Sequence, residues 1–383
     1  MSDSNLASLA YAPEVTFGTA PTAGYKLVRM TGESIITEKE AITSDEIRSD
    51  RQIPDLVKVH NQSSGSIDFE LSVLQFEDML KYALQADYST LAFTGNFSVD
   101  DTASTITGAA SDFDDVPVGA AVKVGGAVDT LNNGVKRVVS KLGDGSQLTF
   151  VAGAFNSAEA VTGGTIDCNS IRNGVTRKSM TIEKRVLNND GEDFFQQFSG
   201  MVGDTLSLNI ESKAIVTGSL SFLGLTGAKT DISIDGDGYD PAPVGDILNG
   251  TSNMGTVAVD AAATTECFKT LTLEIANNLR GKDCLSYEGN FDIGMGRCEI
   301  TGTLNAYFRN NDFLTKVDDH DDISIDFTVT DTAGRTISIY LPRIKFPSGN
   351  SSIEGIDSDV MVNTDIQAIL DPVTGTQIVF DIH

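Results

Sequence analysis

The fold class is decided by residues 64–73, which read Ser64-Gly65-Ser66-Ile67-Asp68-Phe69-Glu70-Leu71-Ser72-Val73. From Ile67 onward every second residue is apolar, and the residues between are polar. Successive side chains of a strand point to opposite faces, so this alternation is typical of a half-buried antiparallel strand. It recurs at 206–210, 271–275 and 323–329. The chain is therefore predicted to be mainly β.

Helical signals are few. The best of them covers residues 74–84, where Phe76, Met79, Leu80 and Ala83 recur at helical spacing. The 36 glycines, many of them beside Asn or Asp, supply the positive φ angles that tight hairpins need. We expect a β protein with one or two short helices.

Composition excludes several classes of function. The 383 residues include 54 acidic and 27 basic side chains, which gives a net charge of −27. Such a chain lacks the basic surface that displaces counterions from nucleic-acid phosphates, and anionic membranes repel it. The hydrophobic fraction of 40% excludes a disordered acidic chain. Four cysteines are too few for a disulfide framework, so we expect folding in a reducing cytoplasm.

Two segments near the N-terminus are predicted to project. Residues 1–30 include Pro13 and Gly18 and show little periodicity, and we interpret them as an N-terminal arm. Residues 31–58 are strongly polar, with eleven charged side chains between positions 33 and 58. Because so polar a stretch cannot form a core by itself, we predict a projecting loop or hairpin that meets a partner. A mobile, solvated loop is the alternative.

Residues 91–168 form an island rich in Gly, Ala, Val, Asp and Ser. Short apolar runs such as 121–124 and 135–139 are separated by glycine-containing turns. A compact module whose ends lie close together is readily inserted into a surface loop of its host. We predict an inserted outer β domain at 91–168, and an immunoglobulin-like binding module is one form that it could take.

A short pattern of hydroxyl, glycine, hydroxyl and aliphatic residue opens a strand three times, at Ser64, Thr217 and Thr301. The predicted helix follows the first copy, and Asp312-Phe313-Leu314 follows the third in a comparable place. This common order of strand and helix predicts an internal duplication.

The duplication sets the expected domain boundaries. One half is predicted to comprise residues 28–90 together with 170–228, with the island between them. The second half is predicted at 265–383. Residues 229–264, which are rich in Gly and Pro, are predicted to connect the two.

Motifs that could bind a metal are weak. The loop Asp235-Gly236-Asp237-Gly238-Tyr239-Asp240 alternates carboxylates as a calcium loop does. It lacks the glycine at the sixth place and the glutamate at the twelfth, so a solvated turn is favoured. The acidic run 318–322 could also hold a cation, but a charged loop is the commoner outcome.

Motifs for catalysis are missing from the sequence. There are only three histidines, and no nucleophile elbow, phosphate-binding loop or His-Glu-x-x-His helix occurs. Cys284 and Cys298 are predicted to be small apolar fillers in strands. We therefore predict that the protein is not an enzyme, and we assign no catalytic, cofactor-binding or metal-binding residue.

Three parts of the chain carry a family resemblance. They are Tyr11-Ala12-Pro13-Glu14-Val15-Thr16-Phe17-Gly18-Thr19, the stretch from Val59 into the predicted helix, and the block from Met180-Thr181-Ile182-Glu183-Lys184 through Phe198-Ser199-Gly200 to Ile215-Val216-Thr217-Gly218-Ser219-Leu220-Ser221-Phe222. These parts resemble the tail tube proteins, or major tail proteins, of long-tailed bacteriophages. The resemblance covers most of the chain outside 91–168.

The resemblance implies β-sandwich domains with one short helix each, whose inner sheets join into a barrel around a channel. Six such domains form a ring in this family, so a duplicated chain would need three copies per ring, and six copies are the alternative. Stacked rings would form the tail tube of the virion, the conduit for genome ejection into the host cell. The implied partners are further copies of the chain and the tail terminator, tape measure and tail-tip proteins.

The resemblance also gives the acidic charge a use. Because phosphate contacts from basic residues slow DNA, we predict an electronegative channel through which DNA passes without specific binding. The inserted domain at 91–168 is expected outside the tube, where its deletion leaves assembly intact. Residues 1–58 are expected to make ring-to-ring contacts. The alternative function is a β-rich adhesion or capsid-decoration protein that binds a cell-surface polymer.

Overall fold

The structure is a computed structural model that describes residues 3–188, 192–236, 238–255, 257–260, 262–263, 267–309, 312–352, 355–356 and 359–383. Within these ranges the chain contains 26 strands, two α-helices and two 3-10 turns. The prediction of a mainly β protein with few helices is confirmed. Helix α1 spans Val73–Leu84 and helix α2 spans Asp312–Asp318.

The strands fall into four groups along the chain. Before helix α1 lie β1 (Ala7–Pro13), β2 (Lys26–Leu27), β3 (Gly32–Glu33), β4 (Ile36–Thr43) and β5 (Leu56–Glu70). In and beside the island lie β6 (Ser89–Asp100), β7 (Thr105–Thr107), β8 (Ala121–Gly125), β9 (Gly134–Lys141), β10 (Gln147–Phe150) and β11 (Glu159–Arg172). After the island come β12 (Ser179–Leu187), β13 (Asp193–Glu211), β14 (Thr217–Gly224) and β15 (Thr226–Thr230). The last group is β16 (Ala258–Val259), β17 (Ala262–Ala263), β18 (Phe268–Ala276), β19 (Arg280–Lys282), β20 (Asp292–Gly294), β21 (Glu299–Tyr307), β22 (Ile323–Thr330), β23 (Thr336–Lys345), β24 (Gly349–Ser352), β25 (Met361–Ala368) and β26 (Val379–Ile382).

One long sheet runs across both parts of the chain that flank the island. Its strand order is β4–β5–β14–β13–β18–β21–β25–β24, and each neighbouring pair is antiparallel. Glycine is required at position 65, where φ is +146° and a Cβ atom would lie 2.5 Å from Cα of Ile35. The close approach of β5 to the residues before β4 thus depends on this glycine.

The inward side chains of the long sheet belong to one hydrophobic core. The core also includes Phe76 of helix α1, Phe327 of β22 and Phe380 of β26, all of them nearly inaccessible to solvent. Burial of each such side chain stabilises the fold by about 1.5–3 kcal/mol. The alternation of apolar and polar side chains thus gives the sheet one apolar side, and this side packs with the helix in the same core.

The island is a closed barrel of six strands. β6 pairs with β7, β7 with β10, β10 with β9, β9 with β8, β8 with β11, and β11 pairs back to β6. It has its own core, which includes Phe97, Phe113, Leu148 and Ile166. The immunoglobulin-like form considered for the island is wrong, because these strands close into one barrel and do not form two stacked sheets.

Two predicted segments are bound to the rest of the chain. Residues 7–13, inside the segment 1–30, form β1, which pairs with β12 along its whole length and has four consecutive buried side chains. Part of the segment 229–264 is tied to β12 by the buried carboxylate of Glu183. This carboxylate accepts hydrogen bonds from Ser233 Oγ and from the Ile234 amide, both at 2.9 Å.

Candidate assembly surfaces

The outward side of the long sheet is a polar surface. Its centre consists of six neighbouring strand segments, 64–70, 217–224, 205–211, 270–276, 299–307 and 361–368. Their inward residues are buried and mostly aliphatic, whereas the outward ones are mainly Ser, Thr and Asn. We call the outward side of these segments the polar face. It carries a groove of about 720 Å³.

All charged residues of the polar face are acidic. The six segments are described in full and contain no Lys, Arg or His, and their charged residues are Asp68, Glu70, Glu211, Glu274, Glu299 and Asp365. Ser219 Oγ donates a hydrogen bond of 2.6 Å to Asp68, and Arg297, which precedes its segment, lies 3.2 Å from Glu299. Such a face repels polyanions, because it presents carboxylates with no cation among them.

Strands β4 and β5 extend beyond the sheet as a hairpin, residues 36–59, which we call the projecting hairpin. The β4–β5 register continues to Thr43 and Leu56, and residues 44–55 form the tip. Seven aliphatic side chains are exposed, from 43% to 98% of their surface: Ile36, Ile42, Ile47, Ile53, Leu56, Val57 and Val59. An exposed apolar edge of this kind marks an interaction surface.

Among the described residues, charged groups connect the projecting hairpin to the remainder of the chain only at its base. Lys58 Nζ lies 2.8 Å from Glu288, and His60 Nδ1 lies 3.8 Å from Asp283, both in the loop between β19 and β20. Nearer the tip, Arg48 pairs with Asp50 inside the hairpin itself. The tip therefore gains little support from the rest of the subunit.

A buried ion cluster joins the island to the second part of the chain. Arg137 on β9 binds both carboxylate oxygens of Asp326 on β22, at 2.6 and 2.8 Å, and lies 3.0 Å from Asp381 on β26. It also donates to Ser338 Oγ at 2.6 Å, and its guanidinium lies 4.2 Å from the centre of the Tyr340 ring. We call this group the island clamp. Its bidentate geometry suits arginine alone.

Burial shifts the pKa values of two groups at the island clamp. Burial raises the pKa of Asp381 to about 6, although Arg137 opposes this shift. Burial lowers the pKa of the neighbouring His383 to about 4, and Lys123 adds to this. The folded protein therefore favours a neutral His383 below the pH at which a free histidine would become charged.

Residues of both weak metal motifs make contacts with other parts of the chain. The Asp235 carboxylate accepts a hydrogen bond from the Tyr25 amide at 3.1 Å, and Asp240 lies in a bridge to Lys26. Asp237 lies outside the described residues. In the acidic run 318–322, Asp322 pairs with Arg343 at 2.8 Å. Among the described residues no group of three or more His, Cys, Asp or Glu side chains is arranged to hold a metal ion.

The cysteines lie apart from one another as free thiols. Cys284 is exposed between β19 and β20, so the prediction that it fills a strand is wrong: the chain turns there. Cys298 directly precedes β21, so its predicted place in a strand is wrong as well. It is half-buried beside the main core, and burial raises its pKa to about 11. No described helix is both long and apolar enough to cross a membrane.

Sequence reasoning missed the island clamp and the polar face. Arg137 stands among other basic residues of the island, and nothing in the sequence distinguishes it from Lys136 or links it to Asp326. The six alternating segments of the polar face carry a signal in the sequence, because they contain acidic residues but no basic ones. To infer a shared face from this signal, one must also know which strands are neighbours in the sheet.

The comparisons with known proteins agree with the resemblance seen in the sequence. A family model described as phage tail tube protein matches residues 4–368. No curated protein matches the chain.

Proposed function

The chain belongs to the phage tail tube protein family, and on that basis we propose that three copies of it form each ring of the tube. As a member of this family it is a structural protein of the virion tail and not an enzyme, and the family polymerises with itself. The adhesion or decoration alternative is set aside, because the family match extends over nearly the whole chain. We assign the protein no catalytic, cofactor-binding or metal-binding residue.

The three-copy ring rests on an internal duplication, which the strand pairing of the two halves supports. β12 pairs with β13 through Met180–Met201 and Ile182–Phe198, with a register shift between them. β22 pairs with β23 through Ile323–Ile344 and Ile325–Leu341, and a register shift occurs at the same place. Shared irregularities are stronger support than shared regular pairs, because regular pairing follows from alternation alone.

A second match involves side chains. Ser34 Oγ accepts a hydrogen bond from the Ser66 amide at 2.9 Å and lies 3.1 Å from Ser66 Oγ. Thr272 Oγ1 accepts one from the Thr303 amide at 3.0 Å and lies 2.7 Å from Thr303 Oγ1. Ser66 and Thr303 each follow the glycine of the recurring pattern. The same local hydroxyl bridge thus supports the same chain geometry in both halves.

We propose the domain division on this evidence. The first tube domain comprises residues 28–90 with 170–228, the second comprises 265–383, and 229–264 connect them. The island at 91–168 is proposed to lie outside the tube, a position supported by its clamp to β22 and β26, which are not strands of the polar face. The division is also supported by the separate core of the island barrel.

The polar face is proposed to line the channel. Three copies would contribute three such faces, each with six carboxylates and no cation in its six segments. Phosphate groups passing such a wall meet repulsion and make no ion pairs with it, so DNA slides. The projecting hairpin is proposed to contact the next ring, with its exposed aliphatic side chains from Ile42 to Val59 as the buried part of that contact. Tail terminator, tape measure and tail-tip proteins are the further partners that we propose.

Negative-stain electron microscopy of the purified protein tests this function. We expect stacked rings with a central hole. Class averages viewed down the tube should show six similar lobes that are related by threefold, not sixfold, symmetry. Isolated particles at concentrations that allow polymerisation would contradict the assembly. Rings with six islands on their outside would contradict the count of three copies while leaving the tube intact.

A further inference from the structure

Within the long sheet, β13 and β18 join the two similar halves, and this join is a template for a second one. β11 and β26 also pair between the halves, but outside the long sheet. β13 of the first half pairs with β18 of the second through seven residues, from Thr205–Ala276 to Glu211–Thr270. Seven consecutive antiparallel pairs make this join a regular part of the long sheet. The inference drawn from it depends on the duplication and the ring that form the proposed function.

The long sheet ends at two edges that correspond to the two sides of this join. β24 pairs with β25 through Gly349–Thr364 and Ser351–Val362, in the way that β13 pairs with β14 through Leu206–Leu220 and Leu208–Gly218. β24 therefore takes the place in the second half that residues 206–209 take in the first.

The opposite edge corresponds to β18. Ile36 pairs with Ser64 and Thr37 with Ser63, just as Glu274 pairs with Thr301 and Ile275 with Ile300. Within the described residues, β24 pairs only with β25, and residues 32–37 pair only with β5. Each edge thus has one strand partner, whereas its counterpart in the middle of the sheet has two.

We propose that β24 of one copy pairs antiparallel with residues 34–38 of the next copy, in the register of the β13–β18 join. Translating that join places Ser351 opposite Ile35, Asn350 opposite Ile36 and Gly349 opposite Thr37. The occupant of each edge is a second copy of this chain, because the two edges match the two strands that form the β13–β18 join.

The side chains at the two edges fit this pairing. Asn350 and Ile36 are exposed in the single subunit, and both occupy positions equivalent to outward residues of the polar face, Ser207 and Glu274. Gly349, Asn350 and Ser351 carry small side chains or none, which leave the backbone of the edge accessible to another strand. The Ile35 amide donates to Glu33 Oε2 at 2.9 Å in the single subunit, so pairing would exchange this hydrogen bond for one to the neighbouring strand. Pairing would give both edges a second strand partner and close the sheet into a ring.

Paired cysteines test this register. We would combine Asn350→Cys with Ile36→Cys in a chain whose exposed Cys267 and Cys284 are changed to serine. In one chain these positions lie on opposite edges of an eight-strand sheet, so a disulfide between them joins two chains. We expect a non-reducing gel to show covalent dimers and trimers, with the trimer as the largest product.

Matched variants control for chance oxidation. Asn350→Cys with Glu40→Cys moves one partner by four residues, about 13 Å along the strand, which is beyond the reach of a disulfide. We expect at least tenfold less cross-linked product from this pair. Ser348→Cys with Glu38→Cys restores the register at another position and should cross-link, which covers the case in which the first pair does not fold.

The same samples are viewed by electron microscopy, so that failure of the proposed join can be distinguished from failure of the proposed function. Tubes without cross-links in either registered pair overturn the proposed join and leave the proposed function standing. Cross-linked products that extend to six chains support the join but contradict the three-copy ring. The absence of both tubes and cross-links overturns both.

Discussion

The projecting hairpin and the island are both outgrowths of the first half, but they differ in how they are held. The island has its own core and is clamped through Arg137 to two carboxylates of the second half. The hairpin exposes its aliphatic side chains and is fastened mainly at its base. A segment whose contacts are complete within one subunit contributes to the stability of that subunit. A segment whose apolar surface stays exposed to solvent can bind another copy of the chain.

The largest effect is expected from shortening the projecting hairpin. Replacing residues 44–55 with Asn-Gly joins Thr43 to Leu56, which are already paired, by a tight turn. We expect tubes to disappear in electron micrographs, because the tip supplies the contact to the next ring. The thermal unfolding midpoint of the subunit should stay within a few degrees of the parent value.

The matched control uses the exposed aliphatic residues of the island. Val128→Ser with Leu131→Ser removes side chains that are 88% and 65% exposed, and tube formation should be unchanged. Ile47→Ser with Ile53→Ser, at 98% and 74% exposure, should weaken it. Equal effects of the two pairs would show that general surface hydrophobicity, not the hairpin, drives assembly.

The next largest effect is expected at the island clamp. Arg137→Met leaves Asp326 and the buried Asp381 without their cation, and we expect a loss of about 3–5 kcal/mol in the free energy of unfolding. Urea unfolding measures it. Arg48→Met is the control, since it removes an equally well-formed but exposed pair of the hairpin and should cost several-fold less stability than Arg137→Met. Similar losses from the two variants would refute the distinction between a clamped and an open outgrowth.

A pH effect is expected from the two shifted groups at the clamp. Because the pKa of His383 is lowered to about 4, this residue destabilises the folded state increasingly as the pH falls from about 6.5 through 4. Asp381, with its pKa raised to about 6, acts oppositely, because its contribution is full below about 3.8 and lost as the pH rises through 6. The two contributions oppose each other between pH 4 and 6.

His383→Gln should allow the pH-dependent contribution of Asp381 to stability to be measured by itself. We expect the variant to gain stability relative to the parent as the pH falls from 6.5 to 4, by up to about 3 kcal/mol. Urea unfolding at several pH values within this range measures the difference. A constant difference between variant and parent across the range would be evidence against a buried, neutral His383.

The smallest effect is expected at the base of the hairpin. Lys58→Ala removes an exposed ion pair with Glu288, and we expect a loss of stability several-fold smaller than that of Arg137→Met, which fades in high salt. A double-mutant cycle with Glu288→Ala isolates the pair. A coupling several times larger would mean that the hairpin is anchored more firmly than its exposure indicates.

The sequence predicted those features that depend on local pattern. Alternation at 64–73 identified a strand of the long sheet, and the spacing in 74–84 identified helix α1 to within one residue of its start. The glycine-rich composition of 91–168 indicated a β module, but not its closure into a barrel. Closure depends on which strands meet, and strands distant in sequence leave no local mark of their pairing.

By itself, then, the sequence determined the fold class, the acidic character of the strands and, through its resemblance, the family. These follow from the period of side-chain alternation and from composition, which are properties of neighbouring residues. Only the tertiary structure decided that six acidic, cation-free strand segments share one face and that Arg137 reaches across to Asp326 and Asp381. Both depend on contacts between residues far apart in the chain, which form only when the packing of the whole core fixes the order and register of the strands.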